Sequence, residues 1–462
     1  MLFPTFTFAL FFIVVLTVGW FMPGRRAWWK LFMLAASYFF YAYWDARFVG
    51  LIAASTVVNQ TAAVWLARLQ HPGARRAVVS LAVGANLASL GFFKYAGFFV
   101  DSAESALEGL GIAADLPLLN IILPVGISFF TFQAISYVLD VYRGDAEPAK
   151  PLDFAVYLAF FPQLVAGPIV RAHELIPQLN EPRTLRHTDF MRATVLIAAG
   201  LFKKMVVATY LAEALVDDVF AFPERFSSLE VLLGVYGYAI QIYADFSGYT
   251  DIAIGVALLM GIRLPDNFNQ PYRAASIQDF WRRWHMSLSR WLRDYLYIPL
   301  GGNRGGEWRR DRNLLVTMLL GGLWHGAAWT FVLWGALHGL GLLVERRLGL
   351  RLPGIVARLV TFHFVCFGWI LFRAESLGAA GSVLARLFSA WTVEPTQLTW
   401  VAVALIVAAL ATQFWPRAAT GPTLRAASHL PVLVTALAFA FWLVVLEQFG
   451  PEGVAPFIYF QF

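Results

Sequence analysis

Residues 3–22 read FPTFTFALFFIVVLTVGWFM, twenty positions without a charge, and about 20 apolar residues is the length a helix needs to cross the hydrocarbon core of a bilayer. No positive segment precedes this stretch, whereas Arg25, Arg26 and Lys30 follow it. It therefore reads as an uncleaved anchor, not a secretory signal, with the N terminus outside. Working outward, apolar runs at 31–44, 48–67 and 77–100 alternate with a basic segment (Arg68, His71, Arg75, Arg76) and an acidic one (Asp101, Glu104, Glu108, Asp115) that has no Lys or Arg. All four runs agree on one orientation, with the 101–118 loop outside and the basic segments inside. Further spans are expected at 119–139, 152–170, 190–216, 230–262, 313–343, 354–372, 398–415 and 430–449.

Composition supports the same reading. Of the 462 residues, 59% are hydrophobic and 14% charged, with 41 Phe, 17 Trp and 16 Tyr. A soluble domain carries roughly 25% charged residues. The chain is read as an all-α polytopic integral membrane protein with about eleven or twelve transmembrane or re-entrant helices, together with interfacial amphipathic helices. Pro124, Gly126, Pro162, Gly167, Pro168, Gly321 and Gly322 are breakers inside apolar stretches, and broken helices at membrane depth need protein or a wet cavity to satisfy their freed backbone groups. An internal funnel is one reading of them and simple kinks the other. The net charge of +6 fits the Lys and Arg bias of cytoplasmic loops, and nucleic acid is not expected as a partner. The single cysteine, Cys366, excludes an intramolecular disulfide and a Cys-rich metal site. No metal is expected.

One segment departs from the spanning pattern. In SIQDFWRRWHMSLSRWLRDYLYI, residues 276–298, Phe280, Trp284, Leu288, Trp291 and Tyr295 recur at helical spacing, with Arg282, Arg283, Arg290 and Arg293 on the remainder. Such a helix is expected to lie along the membrane surface. The Gly-rich, basic stretch at 301–313 follows on the cytoplasmic side.

Ionisable residues inside apolar runs are costly and are functional candidates by default. His325 stands in Leu320-Gly321-Gly322-Leu323-Trp324-His325-Gly326-Ala327-Ala328, where small neighbours leave room for a substrate or a helix. It reads either as a proton-transfer group near neutral pH or as a histidine bonded between helices. His285, between Trp284 and Met286, reads either as a catalytic group or as a satisfied core or headgroup residue. Residues 241–251 (QIYADFSGYTD) bring Asp245, Ser247 and Tyr249 into an apolar span, where Asp245 either orients a histidine, pairs with an arginine, or joins a buried polar network. Lys203 and Lys204 are read as snorkelling or topogenic. There is no Walker sequence, dinucleotide fingerprint, HExxH or nucleophile elbow, so the chemistry left is centred on histidine.

Gln270-Pro271-Tyr272, the run Asp279-Phe280-Trp281-Arg282-Arg283-Trp284-His285-Met286-Ser287-Leu288-Ser289, then 291–297 (WLRDYLY), Gly301-Gly302-Asn303-Arg304 and Leu323-Trp324-His325-Gly326 together resemble the membrane-bound O-acyltransferase (MBOAT) family. Phe93-Lys94-Tyr95 and Asp140-Val141-Tyr142-Arg143-Gly144-Asp145 extend the likeness, which runs to about residue 375. The resemblance implies one membrane domain over 1–462, with N-terminal spans at 1–120, a core at 121–375 and C-terminal spans at 376–462, built around a central funnel. It further implies His325 as the catalytic histidine and His285 as its partner, with Asp245, Ser247, Tyr249, Trp324 and Asn313 as supporting polar residues. Acetyl-CoA is the implied donor, a substrate and not a tightly bound cofactor; a related branch takes D-alanine from a carrier protein. Arg282, Arg283, Arg290, Arg293 and Arg304 then either hold coenzyme phosphates or serve as positive-inside charge. The implied product is an O-acetylated exported polysaccharide of the alginate kind, made at the bacterial inner membrane with periplasmic acetyltransferase partners and lipids as neighbours. A transporter and a non-enzymatic scaffold are the rival classes; no paired half repeats support the first.

The charge asymmetry has a direct test. Single cysteines at Ser102 and Gly305 should be labelled by an impermeant maleimide from opposite sides of the membrane, and labelling from the same side would overturn the topology.

Overall fold

The computed structural model describes residues 1–22, 26–112, 116, 121–165, 167–349, 352–395, 398–416 and 430–449. Among these, every regular element is helical. Five of the described helices are long and apolar enough to cross a membrane: Ala46–Arg68, Pro72–Gly109, Asp189–Ala221, Ser228–Leu259 and Gly354–Arg373. Of the other runs expected to supply eleven or twelve crossings, those at 3–22 and 398–415 form shorter apolar helices, Phe6–Phe21 and Trp400–Thr412, and those at 152–170 and 313–343 are broken. Arg25 and Asp115, used for orientation above, lie outside the described residues. Residues 101–109 are not loop, because the Ala96–Gly109 helix carries Asp101, Glu104 and Glu108 to its end.

The described chain packs as two compact units. In the first, Thr7–Arg183 with Ile262–Leu264, the Ile127–Arg143 helix is buried along most of its length. Gly126 starts it at φ 75°, and a Cβ there would come within 2.5 Å of the Leu164 carbonyl, so only glycine makes this turn. The 152–170 run breaks into Pro151–Ala159 and Phe161–Leu164. Its freed backbone groups are met by protein: Gln163 Nε2 donates to the Tyr157 carbonyl (2.6 Å) and the Tyr157 hydroxyl to the Val170 carbonyl (2.9 Å). Lys30 is buried and ion-paired with Asp153, and Asn180 bonds both, accepting from Lys30 at 2.8 Å and donating to Asp153 at 2.9 Å. Asn180 thus adds a hydrogen bond to each member of the pair, which helps it tolerate its place away from water.

The second unit, Leu2–Phe6, Thr184–Gly261 and Pro265–Phe462, is organised on the 32-residue Ser228–Leu259 helix, roughly 48 Å long at 1.5 Å per residue. Ser227 and Glu230 close its N terminus as a capping box. Small residues bring the His187–Leu201 helix against it: a Cβ on Gly200 would lie 2.6 Å from the Gly248 carbonyl, and one on Gly255 2.9 Å from that of Ala193. Two ion pairs sit on the same seam, Lys204 with Asp245 and Lys203 with Asp251. These lysines therefore do not snorkel; Lys204 is buried, and each ammonium is held by a carboxylate.

Two further expectations change. The 313–343 run is an antiparallel pair, Glu307–His325 and Trp329–Leu348, and the break falls at residues 326–328. Gly321 and Gly322 stay helical because they serve packing: a Cβ on Gly322 would sit 2.3 Å from the Phe331 carbonyl, and one on Gly335 2.4 Å from that of Met318. Residues 276–298 do not form one surface helix either. They divide into Ile277–Trp281, Met286–Leu292 and a wide π-type turn at Arg293–Tyr297, and Phe280, Trp284, Leu288, Trp291 and Tyr295 are all buried. Five large apolar side chains find more contact in a protein core than at a bilayer surface, which covers one face only.

Gly322→Ala should cost about 1–3 kcal/mol through overpacking of the backbone contact, whereas Gly381→Ala, with open space around it, should cost nothing. Urea titration of the detergent-solubilised protein compares the two; equal stability would mean that the glycine contact does not hold the helix pair.

Candidate active site

Both histidines named above lie in the second unit and both are buried, His285 at 0% and His325 at 2% exposure. Their ring centroids are 6.3 Å apart, close enough for the two imidazoles to address one reacting group. His325 is the last residue of the Glu307–His325 helix, where the chain must turn. Gly326 makes the turn possible, since a Cβ there would fall 2.0 Å from the Phe331 ring. Trp324, Trp334 and Phe372 stand around the His325 ring at 5.1, 5.0 and 5.3 Å between centroids. Phe246 and Trp324 face His285 at 4.7 and 5.8 Å.

His285 is held in an unusual backbone conformation. Its φ of 40° and ψ of 56° lie in the left-handed region, which costs a non-glycine residue of order 1–3 kcal/mol and persists only where neighbours impose it. Asn267 imposes it here. Its carbonyl accepts from the Met286 amide (2.9 Å), and its Oδ1 accepts from the Ser287 amide (3.1 Å) and hydroxyl (2.9 Å). The Asn269 amide donates to the Arg283 carbonyl at 2.9 Å, so residues 267–269 run alongside 283–287 as a clamp. Burial lowers the His285 pKa from 6.5 to about 3. The ring is thus neutral near pH 7, a hydrogen-bonding group and not a cation.

The other expected site residues separate by place. Trp324 belongs to the histidine cluster. Asp245 is ion-paired with Lys204, and Ser247 Oγ accepts from Lys203 Nζ at 3.0 Å. Tyr249 lies against Phe3 (5.4 Å) and under the Lys204 ammonium (5.7 Å). These three residues thus stand on the lysine seam. Asn313 is roughly 18 Å from His325 along their shared helix, where its Nδ2 donates to the Gly302 carbonyl at 3.2 Å and steadies the Gly-rich turn.

The same unit holds a cavity of about 920 Å³ whose lining includes neither histidine; its volume is within the range of ligand sites, roughly 300–1,000 Å³. Met286, next to His285, and Met318, two turns before His325, both line it. Arg282, Arg290 and Arg293, three of the five arginines named as donor candidates, reach it, together with Arg310 and Arg346, which were not among those candidates. Arg283 is not in its lining; the guanidinium bonds Asp279 (2.8 Å) and the Asn269 carbonyl (3.3 Å). Arg304 is exposed on the turn outside the cavity wall. Among the described residues no group of three or more His, Cys, Asp or Glu side chains is placed to hold a metal ion. The arrangement can polarise a carbonyl, accept a proton beside it, and attract a phosphate-bearing ligand into the cavity.

Sequence reasoning missed Asn267, because nothing local marks an asparagine as a clamp on a residue eighteen positions later. Asn267→Ala should remove two bonds and loosen the corner by about 1–3 kcal/mol. Hydrogen exchange of the Met286 and Ser287 amides, followed by mass spectrometry, should then quicken; unchanged exchange would show that the corner holds without Asn267.

Comparison with known proteins gives these features a context. The profile of "MBOAT, membrane-bound O-acyltransferase family" matches residues 142–367. The chain is 39% identical to "Probable alginate O-acetylase AlgI" of Azotobacter vinelandii over 98% of each chain. It is also 39% identical to "Peptidoglycan O-acetyltransferase" of Helicobacter pylori, over 82% of this chain and 78% of that one. "Teichoic acid D-alanyltransferase" of Bacillus subtilis is 30% identical over 55% of this chain and 70% of its own. The apolar helices, the buried histidine pair and near-full-length identity agree: this chain is a multi-pass membrane acyltransferase and belongs to the membrane-bound O-acyltransferase family.

Proposed function

We propose that this protein moves an acetyl group from cytoplasmic acetyl-CoA through the bilayer for O-acetylation of an exported polysaccharide of the alginate kind, working with periplasmic acetyltransferase proteins. The observation that carries the reading is the buried His285–His325 pair, together with an arginine-lined cavity that reaches Met286, the residue after His285; the alginate O-acetylase relatives support the acceptor class. The protein sits in the bacterial inner membrane with its N terminus in the periplasm, and eleven or twelve spanning or re-entrant elements surround a central funnel.

The chemistry follows from the side chains. The acceptor hydroxyl attacks the thioester carbonyl; the new C–O bond forms as the C–S bond breaks. His325 takes the hydroxyl proton and returns one to the departing thiolate, a general-base contribution of about 10²–10⁴ in rate. His285, neutral and fixed by Asn267, donates a hydrogen bond to the developing oxyanion. Arg282, Arg290, Arg293, Arg310 and Arg346 receive the coenzyme phosphates. The aromatic walls keep water from the thioester. A carrier protein charged with D-alanine is the second donor reading, supported by the teichoic acid relatives; it predicts that free acetyl-CoA does not support transfer by isolated membranes.

His325→Ala should abolish polymer acetylation while the protein inserts and accumulates, because the neighbouring glycines and not the imidazole make the helix contact. His285→Ala should reduce acetylation, leaving a residue of activity. Acetyl content of the exported polymer, measured beside immunoblot levels, decides; normal acetylation by His325→Ala would leave a scaffold or a transporter as the function.

A further inference from the structure

A third buried histidine stands behind the first two. His338, on the Trp329–Leu348 helix, is 0% exposed. Its Nδ1 accepts a hydrogen bond from Trp281 Nε1 at 3.3 Å, across 57 residues of chain. An accepting Nδ1 carries no proton, so the ring is the Nε2-protonated tautomer. That side of the ring faces Gly368, where a Cβ would stand 3.1 Å from Nε2. Aromatic groups enclose the rest: Phe280 stacks at 6.1 Å, Trp334 lies at 4.8 Å and Phe364 at 5.4 Å.

Both neighbours of His338 lead to the site. Trp281 lines the cavity, and Trp334 contacts His338 on one side and His325 on the other, at 4.8 and 5.0 Å. The indole of Trp281 has two polar choices, to bond His338 or to turn its N–H toward the cavity. Because the indole is only part-buried, the turn toward the cavity is open to it, and the bond to His338 is what favours the first choice.

We infer that His338 is a positioning residue for the acyl donor: through its Nδ1 it locks the Trp281 indole as a fixed wall of the cavity, so that the donor's apolar arm meets a preformed surface. The inference rests on the cavity being the donor site. Fixing one wall acts on binding, since a loose indole must be ordered each time the donor enters. It leaves the proton transfer at His325 unchanged as long as an aromatic ring still fills the His338 position behind Trp334.

The test is acetyl transfer to polymer by inside-out membranes over a range of acetyl-CoA concentrations. His338→Phe keeps the ring and removes the acceptor, and should raise the apparent KM for acetyl-CoA roughly five- to tenfold with kcat held within about twofold. His338→Asn, whose Oδ1 occupies the place of Nδ1, should restore a KM near that of the native protein. Trp281→Phe removes the donor half of the bond from the cavity side. It should raise KM to a similar extent, and the double variant should be no worse than either single one. If His338→Phe fails to accumulate, Trp281→Phe decides alone. A fall in kcat at unchanged KM, equal behaviour of the Phe and Asn variants, or additive single effects would each overturn the assignment. Arg282→Ala combined with Arg290→Ala separates it from the donor reading: unchanged KM there removes both, whereas a raised KM there with native KM in Trp281→Phe removes the role of His338 only.

Discussion

The close approach of two backbones at Gly322 and Gly335 is the constraint from which the site follows. With no Cβ on either residue, the Glu307–His325 and Trp329–Leu348 helices come near enough that a single added methyl would meet a carbonyl at 2.3–2.4 Å. In lipid no hydrophobic gain drives helices together, so surfaces of this kind, where dispersion acts over backbone atoms at short range, supply much of the association. The contact sets the height of Trp334 against His325 and carries His338 into the aromatic cluster one turn on. The break at Gly326 belongs to the same device, since it ends the first helix where the imidazole must emerge.

A second constraint, on the other side of the histidine pair, is conformational. His285 occupies a left-handed backbone state that a free chain rarely visits, and the Asn267 clamp holds it there by three hydrogen bonds. Two unrelated mechanisms, glycine packing and a side-chain clamp, thus converge on one pair of rings. Between them the site has little freedom to reorganise, which is what preorganised electrostatic stabilisation requires. The charged residues are kept apart from this centre. Lys204 and Asp245 neutralise each other on the helix seam, and Arg282, Arg290, Arg293, Arg310 and Arg346 line the cavity.

Much of this was legible in the residues. Twenty uncharged positions at 3–22, the low charge content and the breakers at Pro162 and Gly167 point to a broken-helix membrane protein, and His325 among small residues is conspicuous because a polar ring there has a cost. The motif runs around His285 and His325 carried the family. The segment at 276–298 misled, since its helical spacing of aromatics is equally that of a core element and of a surface one. Periodicity reports that one face is apolar without saying whether lipid or protein covers it.

Lys203 and Lys204 show the same limit for charge. A lysine within an apolar run reads as snorkelling until the carboxylate that meets it, more than forty positions away, is brought alongside by folding. What the amino-acid sequence determined by itself is the class of the protein, its helical character, its family and the two histidines, because each rests on composition, local period or a contiguous motif. The tertiary structure alone decided the partners: Asp245 for Lys204, Asn267 for the His285 corner, Gly335 for Gly322, and which arginines reach the cavity. Those are pairings between distant segments, and the free energy that selects them, close packing and the satisfaction of buried polar groups, exists only once the helices are together.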